Sequence, residues 1–313
     1  MSAPLDASCV DLIGNPTPIL EMAALREALG GGPRLLVKRD DTIPFGFGGN
    51  KVRKLQFEAK RAISAGADTL VTLGGLQSNH ARVTAAVAAK LGLRCLLIVN
   101  GEPQERPTGN ALLDRLLGAE VEYIPSRHER AESIERVLNR LRREGRRPFL
   151  IPLGASTSFG ALGFVQAVRE MVDQGVKPDV IIHAGSSGGT QAGLLAGVAT
   201  YGLGTRVVAV SADDPAESIR NTVRSIVRGI EGLEAFNGDI EVDDTRVGAG
   251  YGAPTDASRE AQQLAARREG FFVDHTYTAK ALGALIAYVR DGRFAAGHTV
   301  LFWHTGGQVG LFA

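Results

Sequence analysis

The chain has 313 residues, of which 44% are hydrophobic and 22% are charged, and its formal net charge is +1. This length exceeds what one hydrophobic core usually supports, so two domains are expected. Acidic and basic residues are interspersed, no apolar stretch reaches membrane-spanning length and no signal-peptide pattern opens the chain, so nucleic-acid binding, membrane insertion and secretion are not expected.

Apolar runs alternate with amphipathic runs along most of the chain, which predicts strands followed by helices. The predicted strands are 34–38, 69–75, 95–101, 121–125, 148–154, 179–185, 206–212 and 299–307. The predicted helices are 51–66, 79–92, 110–119, 129–145, 159–175, 190–202, 215–233 and 258–270, and the pattern loosens over 237–256. Such alternation is typical of an α/β fold with mostly parallel sheets and helices on both faces.

The segment 47–55, FGGNKVRKL, sets Lys51 in a tight bend before an amphipathic helix. A lysine in this position is usually a solvated turn residue, and a short motif alone has a high false-positive rate. Our hypothesis is that Lys51 holds a carbonyl cofactor as a Schiff base and that other segments position this cofactor.

The segment 185–193, GSSGGTQAG, follows a predicted strand and opens a predicted helix. Its glycines let backbone N–H groups point into one concavity. The helix N-terminus adds partial positive charge there, and Ser187 and Thr190 add hydroxyl donors. This favours binding of a phosphate or another small anion over a plain packing turn. The spacing fits neither an ATP-type P-loop nor the GxGxxG dinucleotide signature.

A second polar turn, GGLQSNHARVTAA over 74–86, also joins a predicted strand to a predicted helix. Asn79 could cap this helix, and its polar neighbours could hold a carboxylate, although a simple N-cap explains the segment equally well. Tyrosines lie among small residues at 248–255 and 275–280, and HTGG ends the last strand at 304–307. No metal site is expected, because no histidine pair with cysteine or carboxylate has ligand spacing.

These segments together resemble the fold type II pyridoxal-phosphate enzymes, the tryptophan synthase β-like family. Within it, the chain is similar to the D-cysteine desulfhydrases and 1-aminocyclopropane-1-carboxylate deaminases. The resemblance covers nearly the whole chain and rests on KRDD, GGNKVRKL, LGGLQSNHARVTAAVAAKLG, GALGF, GSSGGTQAGL, GYGAPT, YTAKALGALI and HTGG. GGNK and QSNH are specific in combination, and they identify Lys51 as the residue that would carry pyridoxal 5'-phosphate.

The resemblance implies roles for the residues that match these motifs. The implied catalytic residues are Lys51, which would move the Cα proton, Ser78, the candidate nucleophile or base, and Tyr277, beside the cofactor ring. The implied cofactor contacts are Lys51, Asn50, Asn79, Ser187, Gly188, Gly189, Thr190, Thr278 and Thr305. The implied substrate contacts are Gln77, Ser78, Asn79, His80 and Tyr251.

Two positions bear on the choice within the family. Ring-opening deaminases typically have Glu at the position of Thr278 and Leu at that of Thr305, so the threonines match the desulfhydrase pattern. A carboxylate at the cofactor's pyridine nitrogen would make the ring a stronger electron sink than a hydroxyl does, and a hydroxyl suffices when a good leaving group departs. The chain differs from the family in the pair Gln308 and Val309, and the aromatic residues at 45 and 47 are expected near the substrate mouth.

The implied enzyme is a lyase that catalyses β-elimination on cysteine or a related β-substituted amino acid; with D-cysteine it would release pyruvate, ammonia and sulfide. One alternative is deamination of 1-aminocyclopropane-1-carboxylate. A second is elimination from another β-substituted alanine, such as cysteate. A third, of a different class, is a binding protein that senses or stores the cofactor without turnover.

The resemblance also implies how the chain is organised. Residues 1–53 and 164–313 would form a larger cofactor-binding domain, and residues 54–163 would form a smaller inserted domain. A homodimer is the family expectation, and a small amino acid is the expected partner. Two distant cysteines, Cys9 and Cys95, make a disulfide framework unlikely and favour the reducing cytoplasm.

Overall fold

The computed structural model describes residues 4–313 of the chain. Its strands are β1 (Ile19–Glu21), β2 (Arg34–Arg39), β3 (Thr69–Gly75), β4 (Arg94–Asn100), β5 (Glu120–Ile124), β6 (Pro148–Leu150), β7 (Val180–Gly185), β8 (Arg206–Ser211), β9 (Glu241–Asp243) and β10 (Thr299–His304). Its α-helices are α1 (Ala23–Ala28), α2 (Asn50–Ser64), α3 (Asn79–Leu91), α4 (Gly109–Leu116), α5 (Arg130–Arg143), α6 (Ser158–Asp173), α7 (Gly189–Thr200), α8 (Ala216–Arg228), α9 (Asp256–Leu264) and α10 (Thr278–Arg290).

The larger sheet has six strands in the order β1-β2-β10-β7-β8-β9, and only β1 and β2 pair antiparallel. Along β10, Leu301 and Trp303 pack on one face while Val300 and Phe302 pack on the other. Helices α6, α7 and α8 cover the first face, and α1, α9 and α10 cover the second. Burying each such side chain contributes about 1.5–3 kcal/mol, so a register slip in β10 would be costly.

The smaller sheet has four parallel strands in the order β5-β4-β3-β6. Helices α2 and α3 pack on one face through side chains such as Val52 and Val83, and α5 packs on the other through Val137. Helix α2 also contributes Phe57 to the core of the larger sheet. One helix therefore contacts both cores, which places its first turn, with Lys51, at the junction of the two sheets.

The predicted alternation of strands and helices is confirmed, with differences at several ends. The strand predicted over 148–154 ends at Leu150, and Pro152, which has no N–H to donate to a ladder, precedes a 3-10 turn. Elements β1, α1, β9 and α10 were not predicted. The first three have only three to six residues, which show too little periodicity, and α10 lies in the segment 271–292, to which no element was assigned from the sequence. Over residues 4–313, no helix is long and apolar enough to cross a membrane.

Candidate active site

The carboxyl ends of strands from both sheets open onto one cavity of about 410 Å³, a size typical of small-molecule sites. The expected site residues that line it are Asn50, Lys51, Ser78, Asn79, His80, Ser187, Gly188, Thr190, Tyr251, Tyr277 and Thr305. Lining residues lie at or just after the ends of β3 and β4 in the smaller sheet and of β7, β8 and β10 in the larger sheet. The tertiary structure therefore brings together residues that are more than 250 positions apart in the sequence.

Lys51 lies in the first turn of α2, after two glycines with positive φ. A Cβ on Gly49 would lie 2.8 Å from the Thr305 carbonyl oxygen, so only glycine lets the chain pass this close to the end of β10. Burial, with a smaller contribution from the Arg82 cation, lowers the pKa of Lys51 to about 8. A larger fraction of its amine is therefore neutral, and nucleophilic, near neutral pH.

A buried ionic cluster anchors α2 to the larger sheet. Arg53 Nε donates to Asp40 Oδ2 at 2.8 Å, and Arg53 Nη1 donates to Glu170 Oε2 at 3.0 Å. Trp303 Nε1 donates to the same Asp40 oxygen at 2.7 Å, and Lys38 pairs with Glu170. Because Arg53 lies two residues after Lys51, these bonds hold the first turn of α2 against β2, α6 and β10.

The glycine turn that the sequence predicts to bind an anion lies at the start of α7. Gly188 precedes the helix with φ 78°, and a helix start leaves N–H groups without partners in the helix. A Cβ on Gly189 would lie 2.7 Å from a serine hydroxyl oxygen, so a methyl group would crowd the turn. Asn50 Nδ2 donates to Thr190 Oγ1 at 2.9 Å, which ties this turn to the start of α2.

The serine beside this turn is Ser156, which sequence reasoning missed. Its hydroxyl is 2.8 Å from that of Ser187 and accepts a hydrogen bond from the Gly189 N–H at 3.2 Å. The sequence carried a signal for it, since GAST follows a predicted strand and precedes a predicted helix in the same way as GSSGGT.

The QSNH turn lies at the start of α3, across the cavity from α7. Ser78 is the N-cap, and its Oγ accepts a hydrogen bond from Ala81 N–H at 3.2 Å. His80 Nε2 is 2.8 Å from Thr72 Oγ1, whose hydroxyl donates to a backbone carbonyl, so the imidazole is the donor in that pair. Burial, together with the nearby lysine cations, holds the pKa of His80 well below its usual range, and the ring is neutral.

Two tyrosines meet at the side of the cavity formed by the larger sheet. The hydroxyl oxygens of Tyr251 and Tyr277 are 2.6 Å apart, and the rings pack edge to face with centroids 5.7 Å apart. Burial and the adjacent phenol raise the pKa of Tyr277 well above its usual value of 10. Tyr277 is therefore a neutral phenol at neutral pH and can donate a hydrogen bond.

Three of the expected site residues do not line the cavity. Gly189 is part of the glycine turn, but its N–H donates to Ser156 Oγ at 3.2 Å, and Gln77 Oε1 accepts the Asn110 N–H at 2.7 Å. The Thr278 hydroxyl accepts the Asp274 N–H at 2.9 Å and donates to Asp274 Oδ1 at 2.6 Å, because the two residues form the start of α10. Thr278 and Thr305 were both expected to contact the cofactor, but of these two only Thr305 lines the cavity.

The residues that depart from the family pattern also lie outside the cavity lining. Phe47 is exposed at the surface, whereas Phe45 packs on the core of the smaller sheet. Gln308 Nε2 donates to the Asp41 carbonyl at 3.3 Å, and Val309 is buried beside it. Gln308 therefore ties the segment after β10 to the loop after β2, and none of these four side chains lines the cavity.

Comparison with known proteins agrees with this geometry. Residues 10–306 match the model of the pyridoxal-phosphate dependent enzymes. The chain belongs to this family. A D-cysteine desulfhydrase of Yersinia enterocolitica is 38% identical over 97% of this chain and 95% of its own, and one of Klebsiella pneumoniae is 37% identical over the same shares. The solved structure of an ACC deaminase homologue is 35% identical, covers 98% of this chain and 94% of that one, and has a TM-score of 0.91.

The family match confirms the expected fold type and makes pyridoxal phosphate the cofactor, and the cavity fits it. A lysine of lowered pKa suits an aldehyde, and the glycine turn at α7 suits a phosphate because hydroxyls lie beside a helix start whose first N–H groups have no partners in the helix. These two features belong to α2 and α7 and are joined by the bond from Asn50 to Thr190. When bound, the cofactor supplies an electron sink for a carbanion at the substrate's Cα.

The mouth of the cavity carries charged residues that sequence reasoning also missed. Arg127 lies in the turn before α5, Arg130 is the first residue of α5, and Asp213 follows β8. Arg127 Nη1 lies 4.0 Å from Asp213 Oδ2, and Arg130 Nη2 donates to Asn100 Oδ1. No short motif marks these residues, because they meet only when the two sheets face each other.

Proposed function

We propose that this pyridoxal-phosphate enzyme is a D-cysteine desulfhydrase, a C–S lyase that converts the substrate to pyruvate, ammonia and sulfide. The main support is the full-length identity of 37–38% to relatives that carry this name. The structural observation that supports it is the lysine of lowered pKa between an anion-binding turn and a polar turn. A purely cofactor-storing protein would not need the polar turn or the paired tyrosines.

The residues that the sequence assigned to the site have proposed roles in binding. The turn of Ser187, Gly188, Gly189 and Thr190 would hold the phosphate, and Asn50 and Thr305 would bound the cofactor on the sides of α2 and β10. Ser78, Asn79 and His80 would receive the substrate carboxylate through the start of α3, and Gln77 would support that turn from outside. Thr278 would act indirectly, by fixing Asp274 at the start of α10, since its hydroxyl donates to Asp274 Oδ1.

The catalytic roles follow from protonation states. Lys51, with its pKa near 8, would take the Cα proton as a base. The C–S bond then breaks with its electron pair on sulfur, which departs as hydrosulfide. Tyr277, a neutral phenol at neutral pH whose hydroxyl lies 2.6 Å from that of Tyr251, would stabilise the departing sulfur by a hydrogen bond rather than by proton transfer. Ser78 remains the second candidate base or nucleophile at the carboxylate side.

Two other substrates remain candidates for specific reasons. The ACC deaminase homologue is 35% identical to this chain and similar in structure, which favours ring opening of 1-aminocyclopropane-1-carboxylate. Against it, position 278 carries no acid, and its hydroxyl is engaged elsewhere. Arginines at the cavity mouth favour an acidic β-substituent such as that of cysteate.

We also propose the organisation and setting of the enzyme. Residues 1–53 and 164–313 would form the larger domain and 54–163 the smaller one, because the larger sheet draws its strands from the first set and the smaller sheet from the second. Two free cysteines, Cys9 and Cys95, suit a reducing cytoplasm. A homodimer rests on the family resemblance alone and is tested by light scattering.

A product assay tests the proposed reaction. Purified enzyme loaded with pyridoxal phosphate is offered D-cysteine, L-cysteine, β-chloroalanine, cysteate, serine and 1-aminocyclopropane-1-carboxylate. We expect pyruvate and sulfide from D-cysteine, no 2-oxobutyrate from the ring substrate, and loss of turnover in Lys51→Ala. Release of 2-oxobutyrate without pyruvate would replace the proposal by the deaminase, and inertness toward every substrate would favour a storage protein.

A further inference from the structure

A buried network of hydrogen bonds joins Asn79 to two residues outside the cavity, Arg82 on α3 and Asn110 on α4. Arg82 Nη1 donates to Asn79 Oδ1 at 2.9 Å and to Asn110 Oδ1 at 2.7 Å. Asn110 Nδ2 donates to Asn79 Oδ1 at 3.0 Å and to the Gln77 carbonyl at 2.9 Å. Arg82 is 1% exposed and Asn110 is 0% exposed, so water does not compete for these bonds.

The chemistry of this network allows one orientation of the Asn79 amide. A guanidinium carries only donors, so each amide must turn its oxygen toward Arg82. Asn79 Oδ1 then accepts two hydrogen bonds, one from Arg82 and one from Asn110. A flipped amide would set N–H groups against N–H groups and would leave two buried donors without a partner.

The fixed orientation leaves the donor side of Asn79 free for a ligand. Asn79 lines the cavity, and within residues 4–313 its Nδ2 donates to no protein acceptor. We propose that Arg82 and Asn110 are positioning residues that aim the amide donors of Asn79 at an anionic oxygen in the cavity. That oxygen belongs to the cofactor or to the substrate's carboxylate, and the inference rests on the binding role proposed for Asn79.

The placement of Arg82 has a cost that this role explains. Among residues 4–313, no carboxylate forms an ion pair with its guanidinium. Its partners are two neutral amides and the Gly48 carbonyl, which accepts a hydrogen bond from Nη2 at 3.1 Å. Burial lowers the pKa of Arg82 to about 10, although Asp114 partly offsets it. A buried cation without an ion-pair partner is poorly suited to stabilising a fold. The planar guanidinium, however, donates to two amide oxygens and to the Gly48 carbonyl before Lys51 simultaneously, and the single amine of a lysine cannot reproduce this geometry.

The test combines cofactor binding with a double-mutant cycle. Apoprotein of the wild type, Asn79→Ala, Arg82→Lys, Asn110→Ala and the double variant Asn79→Ala/Arg82→Lys is titrated with pyridoxal phosphate, and KM is then measured for D-cysteine. A hydrogen bond to a charged group corresponds to about ten- to a hundredfold in a binding constant. We expect Asn79→Ala and Arg82→Lys each to weaken the same constant about tenfold or more, and the double variant to be no weaker than Asn79→Ala alone.

The two measurements distinguish the two oxygens. A weaker affinity for pyridoxal phosphate assigns the contact to the cofactor, and a raised KM with unchanged cofactor affinity assigns it to the substrate carboxylate. Arg115→Lys, an exposed arginine of α4, is the matched control and should change neither. Thermal unfolding of each apoprotein verifies folding, and Asn110→Ala carries the test, in a cycle with Asn79→Ala, if Arg82→Lys does not fold.

Two results would overturn the proposal. Additive losses in the double variant would show that Arg82 acts independently of Asn79. Wild-type affinity and KM in both Arg82→Lys and Asn110→Ala would show that the amide needs no positioning. If the wild type has no lyase activity on D-cysteine, the proposed reaction fails, whereas the titration with pyridoxal phosphate still decides whether Asn79 is positioned toward the cofactor.

Discussion

Glu170 on α6 completes the buried ionic cluster, and removing its charge should destabilise the protein. Its carboxylate accepts Arg53 Nη1 at 3.0 Å and pairs with Lys38, whose side chain is fully buried. In Glu170→Gln, Arg53 keeps its bond to Asp40, whereas Lys38 loses its carboxylate partner. Breaking a buried pair costs about 3–5 kcal/mol. With an unfolding entropy of about 2.1 cal/mol/K per residue, this lowers the Tm of the 313-residue chain by about 5–8 °C.

The same pair gives the prediction a characteristic pH dependence. Against the effect of burial, Arg53 and Lys38 lower the pKa of Glu170 from 4.5 to about 2. A carboxyl group with a lowered folded-state pKa stabilises above its unfolded pKa and loses that contribution as the pH falls through the folded value. The difference in Tm between wild type and Glu170→Gln should therefore be complete at pH 7 and shrink between about pH 4.5 and 2.

Differential scanning calorimetry at several pH values measures this effect. Glu260→Gln is the control, because Glu260 pairs with Arg290 at 2.7 Å on the surface, where such pairs contribute about 0–1 kcal/mol. Its Tm should fall by less than about 2 °C. The reasoning is refuted if Glu170→Gln melts as Glu260→Gln does at pH 7, or if its deficit stays constant down to pH 2.

Two further predictions concern cofactor binding. Because a nucleophilic amine must be neutral, the rate at which apoprotein attaches pyridoxal phosphate at Lys51 should rise with pH and level off above about 8, as followed by stopped-flow absorbance; a rate independent of pH from 6 to 9 would contradict the lowered pKa. Gly189→Ala should weaken the affinity for pyridoxal phosphate about tenfold or more, since its methyl group would lie 2.7 Å from a hydroxyl oxygen. Gly204→Ala is the control, because a Cβ there meets nothing within 4 Å, and it should bind the cofactor as the wild type does. Equal affinities for the two variants would show that the α7 turn accommodates a methyl group.

The sequence by itself determined the fold class and the order of the elements. Runs such as 180–185 are mostly apolar because β7 is buried on both faces, and the amphipathic runs between strands carry one buried face each. The glycine turns before Lys51 and at Gly188 were also visible, because a positive φ or a close approach leaves few residue types possible. The sequence shows these features because each of them depends on residues that are close together in the chain.

Only the tertiary structure decided which way the polar side chains point. Thr278 was expected to contact the cofactor, but its hydroxyl donates to the carboxylate of Asp274, four residues earlier, at the start of α10. Asn79 faces the cavity with its donors because Arg82 and Asn110, on two helices, hold its oxygen. A hydrogen bond depends on the position of both partners, and partners far apart in the chain leave no periodic pattern. The sequence therefore identified Lys51 as the centre of the site, whereas the folded chain decided which groups face it.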